Sequence, residues 1–211
     1  QQTHFECTTV GGMDVLLAPR PGSGLVAASA VIRRGSVDER PDEKGVASFT
    51  SSMLMRGTVR RTSEQLAFDL ETLGAIAGSA DGMDTNSMSV RCMRTEAPAA
   101  LEILFEALRQ PSFDGREHEV NRQEVLADLR MMEDDKFGYT YREYLKTIFN
   151  GHGYGHPSEG EIPDVQAITP DGCRRWHTET IRPESILFVA VGDFDAARWL
   201  KMLEEQVTGW G

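Results

Sequence analysis

The spacing of hydrophobic residues changes along the chain and predicts six strands and seven helices. Alternating or continuous apolar runs bounded by turn residues predict strands, whereas apolar residues three and four apart predict helices. The predicted strands are Phe5–Val10, Met13–Ala18, Leu25–Arg33, Ala75–Ala80, Thr85–Met93 and Ile186–Val191. The predicted helices are Val46–Met55, Ser63–Leu73, Glu96–Gln110, Gly115–Asp135, Tyr139–Phe149, Thr169 to about Thr180, and Asp195–Val207, with a glycine-rich loop over Asn150–Pro163.

This order of elements indicates the fold class. Strands come in two clusters separated by helical pairs, and one late strand follows, which favours an α+β fold over a doubly wound sheet. We expect a largely antiparallel or mixed β-sheet covered by helices on one side. Residues 25–33 are small and apolar throughout, which is typical of a central strand buried on both faces. No repeat or linker divides the chain, so residues 1–211 are expected to form one domain.

Composition narrows the classes of partner. The 211 residues are 40% hydrophobic and carry a net charge of −11, which argues against nucleic acid and anionic membranes. No apolar run is long enough to span a bilayer. Cys7, Cys92 and Cys173 lie far apart without a CxxC pair, so they predict buried thiols and neither a disulfide framework nor a cysteine zinc site.

Three serines mark the helix predicted after Gly45. Ser48, Ser51 and Ser52 lie on or beside one face of it. A nucleophilic serine needs a base, and no histidine lies near these serines in the sequence. Hydroxyls at this spacing usually bond to the helix backbone or to each other, so new serine chemistry is disfavoured.

Several short strings carry a family resemblance. They are Gly35-Ser36, Glu39-Arg40-Pro41, Gly45-Val46-Ala47, Met53-Leu54, Arg56-Gly57-Thr58, Asn86–Arg91, Ala100–Pro111, Arg130–Asp135, Gly155-His156-Pro157 and Val191–Phe194. In this order they resemble the amino-terminal domain of the pitrilysin/insulinase-type zinc peptidases, the inverted zincins that include the mitochondrial processing peptidases. The resemblance runs from about Thr9 to the final helix and implies a LuxS/processing-peptidase-like fold.

The resemblance also implies a metal site that this sequence lacks. Active members carry H-x-x-E-H on the helix after Gly45: two histidines bind zinc and the glutamate is the base. Here Ser48 and Ser52 stand at the histidine positions and Ser51 at the glutamate position. Asp128 aligns with the third ligand, and Asn121 with the acidic residue seven positions earlier.

A shifted register places Glu124 at the third-ligand position and Glu117 at the acidic position seven residues earlier. The first register is preferred because it leaves the Met131–Asp135 string aligned without a gap. Since serine hydroxyls are poor zinc ligands, we expect no catalytic residue, cofactor or metal in this domain.

The expected function follows from the resemblance. We expect a catalytically inactive domain, one of two or more in its parent chain. It would help to enclose and bind a peptide together with a homologous partner that carries the zinc site. One alternative is a structural assembly subunit without peptide contact. Another is a metallopeptidase with a relocated site at His152, His156 or Asp128. Neither nucleic acid nor membrane insertion is expected, and bacterial cytoplasm and periplasm are both compatible.

Two further patterns predict local environments. The run Glu117-His118-Glu119 is typical of an exposed helix start, where carboxylates suit the helix dipole. Tyr139, Tyr141 and Tyr144 are expected to form the face of a helix that packs against the sheet.

Overall fold

A computed structural model describes residues 5–210 and, among them, every side chain except that of Glu133. The strands are β1 Glu6–Val10, β2 Met13–Pro19, β3 Leu25–Ile32, β4 Ile76–Ala80, β5 Asn86–Met93 and β6 Ile186–Gly192. The helices are α1 Val46–Met53, α2 Ser63–Thr72, α3 Ala97–Arg109, α4 Gly115–Asp134, α5 Lys136–Ile148, α6 Ile162–Ala167, α7 Pro170–Thr180 and α8 Ala196–Val207.

The strands form one mixed sheet in the order β1-β2-β6-β3-β5-β4. Only the β2–β6 pair is parallel among these strands; the other neighbours run antiparallel. The late strand β6 inserts between β2 and β3, so it joins the two strand clusters into a single sheet. The predicted α+β class with a largely antiparallel sheet is confirmed.

Helices α3 and α8 cover one face of this sheet. Their apolar residues, such as Leu104, Phe105 and Leu203, share a buried cluster with alternate residues of the four strands β2, β3, β5 and β6. Burying such a face removes apolar surface from water and is the main contribution to stability here. The opposite face, called the open face below, carries half-buried or exposed side chains, among them Ala27, Ser29 and Val31 of β3. The prediction that this strand is buried on both faces is therefore wrong for one face.

A second buried cluster holds α1 in place. Val46, Phe49 and Met53 of α1 pack with apolar residues of α4, α6 and α7, including Leu129 and Trp176. The other side of α1 contacts β4 and β5. Helix α1 is thus enclosed between the end of the sheet and a layer of three helices.

Helix α5 departs most from the sequence prediction. It begins at Lys136 because the Asp135 carboxylate accepts a hydrogen bond from the backbone N–H of Phe137 and so caps the helix. Its main contacts are with α4 and with the short turn at Gly153–Gly155.

The expected packing of the α5 tyrosines is consequently wrong. Tyr139, Tyr141 and Tyr144 are 53%, 52% and 55% exposed. The exposed residues Phe137, Tyr141, Tyr144 and Ile148 follow one side of α5 and are called the aromatic stripe.

Smaller differences have local causes. The predicted loop Asn150–Pro163 contains the start of α6, where Pro163 suits the first helical turn. Cys92 and Cys173 are buried as predicted, but Cys7 is exposed because β1 is an edge strand. Within residues 5–210, no helix is long and apolar enough to cross a bilayer.

Candidate functional site

Helix α1 begins with a cap that comes from outside the helix. The Glu39 carboxylate accepts hydrogen bonds from the backbone N–H groups of Gly45, at 2.9 Å, and Ala47, at 2.8 Å. These donors belong to the first turn, where backbone N–H groups lack partners within the helix and the dipole attracts negative charge. Sequence reasoning missed this role because Glu39 lies seven residues before the first helical residue, beyond the reach of a local capping pattern.

Burial changes the acidity of this cap. Glu39 is only 7% exposed. Burial raises the pKa of its carboxyl from 4.5 to about 7, although the hydrogen bonds from Ala47 and Gly45 act in the opposite direction. The start of α1 is therefore coupled to protonation near neutral pH.

We expect the Glu39→Gln substitution to change how stability depends on pH. A carboxyl whose pKa is raised in the folded state favours folding below its unfolded pKa, and this contribution is lost as pH rises towards 7. The free energy of unfolding of the variant, relative to the unsubstituted chain, should therefore increase by about 3 kcal/mol between about pH 4.5 and pH 8. Urea unfolding at several pH values measures it.

The exposed Glu205 provides the matched control for this prediction. Glu205→Gln removes the same charge outside the core and should leave the pH profile unchanged. If the Glu39→Gln profile runs parallel to that of the unsubstituted chain, the buried carboxyl does not titrate in this range.

The predicted site residues are only partly brought together. The Ser52 hydroxyl donates to the Phe49 carbonyl and accepts from Nδ2 of Asn121, both at 2.8 Å. This bond joins α1 to α4 at two of the predicted positions. Ser51 is buried and its hydroxyl has no hydrogen-bond partner within residues 5–210, while Ser48 is half-buried. Asp128 lies about two turns beyond Asn121 on α4 and is exposed.

The carboxylates of the alternative register meet an arginine. Arg56, just beyond α1, forms ion pairs with Glu117, at 3.9 Å, and with Glu124. The single positive charge of Arg56 therefore offsets one of these two negative charges. Arg56 therefore lies against the side of α4 that carries Glu117 and Glu124, the residues that the alternative register aligns with the metal site.

The donors at this site do not fit a zinc ion. Zinc sites use His, Cys and carboxylate ligands, and Ser48 and Ser52 offer neutral hydroxyls. No group of three His, Cys, Asp or Glu side chains within the described part of the chain is arranged to hold a metal.

The histidines of the proposed relocated site are used locally. His152 accepts the backbone N–H of Tyr154 at 3.2 Å. Nε2 of His156 lies 3.4 Å from the Asp164 carboxylate, and its Nδ1 lies 2.8 Å from the Pro157 carbonyl. These histidines therefore serve the loop that contains them.

A buried histidine of α4, one turn before Asn121, also packs against α1. His118 is 2% exposed, so the expectation of an exposed helix start is wrong at this residue. Its ring lies 4.7 Å from that of Phe49, and its buried Nε2 has no partner among the described residues. Burial, followed by the charge of Arg122, lowers the pKa of His118 and so favours the neutral ring.

An open sheet edge runs beside α1. Strand β4 has β5 on one side and no strand on the other among the described residues. Three of its five residues, Ile76, Ser79 and Ala80, are exposed to solvent. Edge strands of this kind can pair with an extended peptide through main-chain hydrogen bonds.

Comparison with known proteins now decides the family. The family model for insulinase, peptidase family M16, matches residues 14–159. The chain belongs to this family. Curated relatives of this M16 chain include an uncharacterized zinc protease of Streptomyces coelicolor, 22% identical over 188 residues, covering 89% of this chain and 41% of the relative. Another is the uncharacterized zinc protease YmxG of Bacillus subtilis, 20% identical over 203 residues, covering 93% and 50%.

Solved structures share the fold of this M16 chain. The peptidase M16 inactive domain from Pseudomonas fluorescens superposes with a TM-score of 0.92 at 20% identity, covering 97% of this chain and 50% of that one. The periplasmic protease PqqL of Escherichia coli gives 0.88 at 18% identity, covering 100% and 24%. The chain thus spans about half the length of the curated relatives it matches.

Proposed function

We propose that this M16 domain binds an extended peptide without cleaving it and works beside a homologous domain that carries the zinc site. The observation that carries the proposal is the free β4 edge alongside α1, the helix on which the family resemblance puts the metal ligands and this chain has serines. The relatives' greater length supports a companion domain of similar size.

Peptide binding follows from backbone chemistry at β4. A peptide added to an edge strand gains main-chain hydrogen bonds that depend little on its sequence. Hydrolysis does not follow, because Ser51 is buried, neutral and unable to serve as a base near neutral pH. The domain would therefore hold peptide while the chemistry belongs to its companion.

Fluorescence anisotropy with a labelled, unstructured peptide of about ten residues tests the binding step. The matched control is the same peptide with alternate backbone nitrogens methylated, which removes main-chain donors. The unmodified peptide should bind at least about 10-fold more tightly and remain intact by mass spectrometry in the presence of zinc. Equal binding of the two peptides, or cleavage by the chain alone, would overturn the proposal.

A second experiment tests whether this domain assists a companion that carries the zinc site. A chain with H-x-x-E-H should hydrolyse peptide faster when it is mixed or fused with this domain. Unchanged hydrolysis would favour the structural assembly role over the protease role.

A further inference from the structure

Arg91 is an exposed cation on the open face next to the sheet edge. It lies on β5 opposite Ile76 of β4, and its side chain is exposed. No carboxylate of the described residues forms an ion pair with it, whereas the neighbouring Arg94 pairs with Asp193 at 3.4 Å. A solvated arginine in this position is available to a ligand that lies along β4.

Gly78 opens a path from Arg91 to the edge. Gly78 pairs with Ser89, two residues before Arg91, so its missing side chain would point to the same open face. No atom lies within 4 Å of the Cβ position at Gly78. Diagonal neighbours on paired strands lie about 7–8 Å apart, and an added strand lies about 5 Å further out. An arginine and a glutamate side chain together span that gap, and no side chain at residue 78 blocks them.

The surrounding charges leave this cation uncompensated. The other charged side chain on the described open face, Asp14 of β2, is separated from β5 by two strands and pairs with Arg33. That lateral distance is about 14 Å, which exceeds the Debye length at physiological salt. Asp81 follows β4 at its other end and would disfavour an acidic side chain there. The charge near the β4 edge is therefore positive beside Gly78, because of Arg91, and negative beyond Ala80, because of Asp81.

We propose that Arg91 selects acidic peptides at the β4 edge, with an Asp or Glu side chain of the residue paired with Gly78 reaching its guanidinium across the open face. This inference rests on the proposed function, because it specifies which peptides the edge prefers.

The test uses three labelled peptides that differ at one central residue, which is Glu, Gln or Lys. The unsubstituted chain should prefer the Glu peptide over the Gln peptide by about 3-fold to 5-fold, the upper part of the range for an exposed ion pair, and the preference should shrink with added salt. In Arg91→Gln the two peptides should bind equally. In Arg91→Glu the Lys peptide should be preferred.

Two further variants complete the design. Arg198→Gln removes the same charge from an exposed site on α8 and should leave the preference intact. Gly78→Val places a branched side chain in the path and should abolish the preference while the Gln peptide still binds.

The outcomes separate the two proposals. If all three peptides bind equally well, or if Arg198→Gln lowers the preference as much as Arg91→Gln does, selection by Arg91 is wrong and peptide binding stands. If none of the peptides binds, the proposed function fails and this inference fails with it.

Discussion

A variant with the histidine pair restored on α1 should bind about one zinc ion per chain, whereas the unsubstituted chain should retain none after dialysis. The substitutions are Ser48→His, Ser51→Glu, Ser52→His and Asp128→Glu. Histidines four apart lie on one face of a helix, and the Ser52–Asn121 bond shows that α4 lies against this face. Elemental analysis after dialysis and competition with a chromophoric chelator measure stoichiometry and affinity.

The control for this graft is the same variant with Ser48 retained. Loss of one of three protein ligands should weaken zinc binding by at least about 100-fold, while circular dichroism shows an unchanged helix content. A folded four-site variant that binds no more zinc than the unsubstituted chain would refute the assignment of Asp128. A graft that holds zinc equally well with Asp128 unchanged, and loses it on Glu124→Gln, would instead establish the shifted register.

The Gly45→Ala substitution should cause a large loss of stability. Gly45 has a φ of 83°, and an added Cβ would lie 2.6 Å from the Glu159 carbonyl oxygen. The backbone strain and the clash together should lower the free energy of unfolding by about 3–4 kcal/mol. Urea denaturation monitored by tryptophan fluorescence measures this change.

Gly22→Ala separates the two contributions. Gly22 has nearly the same φ, 84°, but nothing lies within 4 Å of an added Cβ. It should lose only about 1–2 kcal/mol, the penalty for a left-handed alanine. If the two variants lose equal stability, the contact between α1 and the loop at Glu159 contributes nothing.

Local pattern was sufficient for the elements with strong periodicity. In β5, polar Ser89 and Arg91 alternate with buried Met88, Val90 and Cys92, and this period of two is the pattern that predicts a strand. Glycine at position 45 and the apolar spacing after it placed the start of α1 at the residue where the helix begins. The alternation in β5 and the start of α1 both depend on residues close together in the chain, so a single sequence is enough to predict them.

Local sequence patterns did not predict contacts that depend on the tertiary fold. The cap from Glu39 depends on the path of the loop before α1, and the burial of His118 depends on how α1 and α4 meet. Local sequence patterns encode neither. The exposed tyrosines of α5 were assigned to the sheet because aromatic residues are usually buried. In the candidate site, the family resemblance identified which residues of this chain stand at the ligand positions. The bond between Ser52 and Asn121 required the packing of α1 on α4.

The aromatic stripe of α5 has a consequence for how this chain behaves in concentrated solution. Phe137 is 80% exposed, and the stripe forms a contiguous apolar surface of the kind that drives association. A net charge of −11 keeps copies apart at neutral pH. Close to the pI of about 4.9, that repulsion disappears and the stripe remains. The colloidal stability of the chain is therefore maintained by its acidic surface and is lost first under acidic conditions.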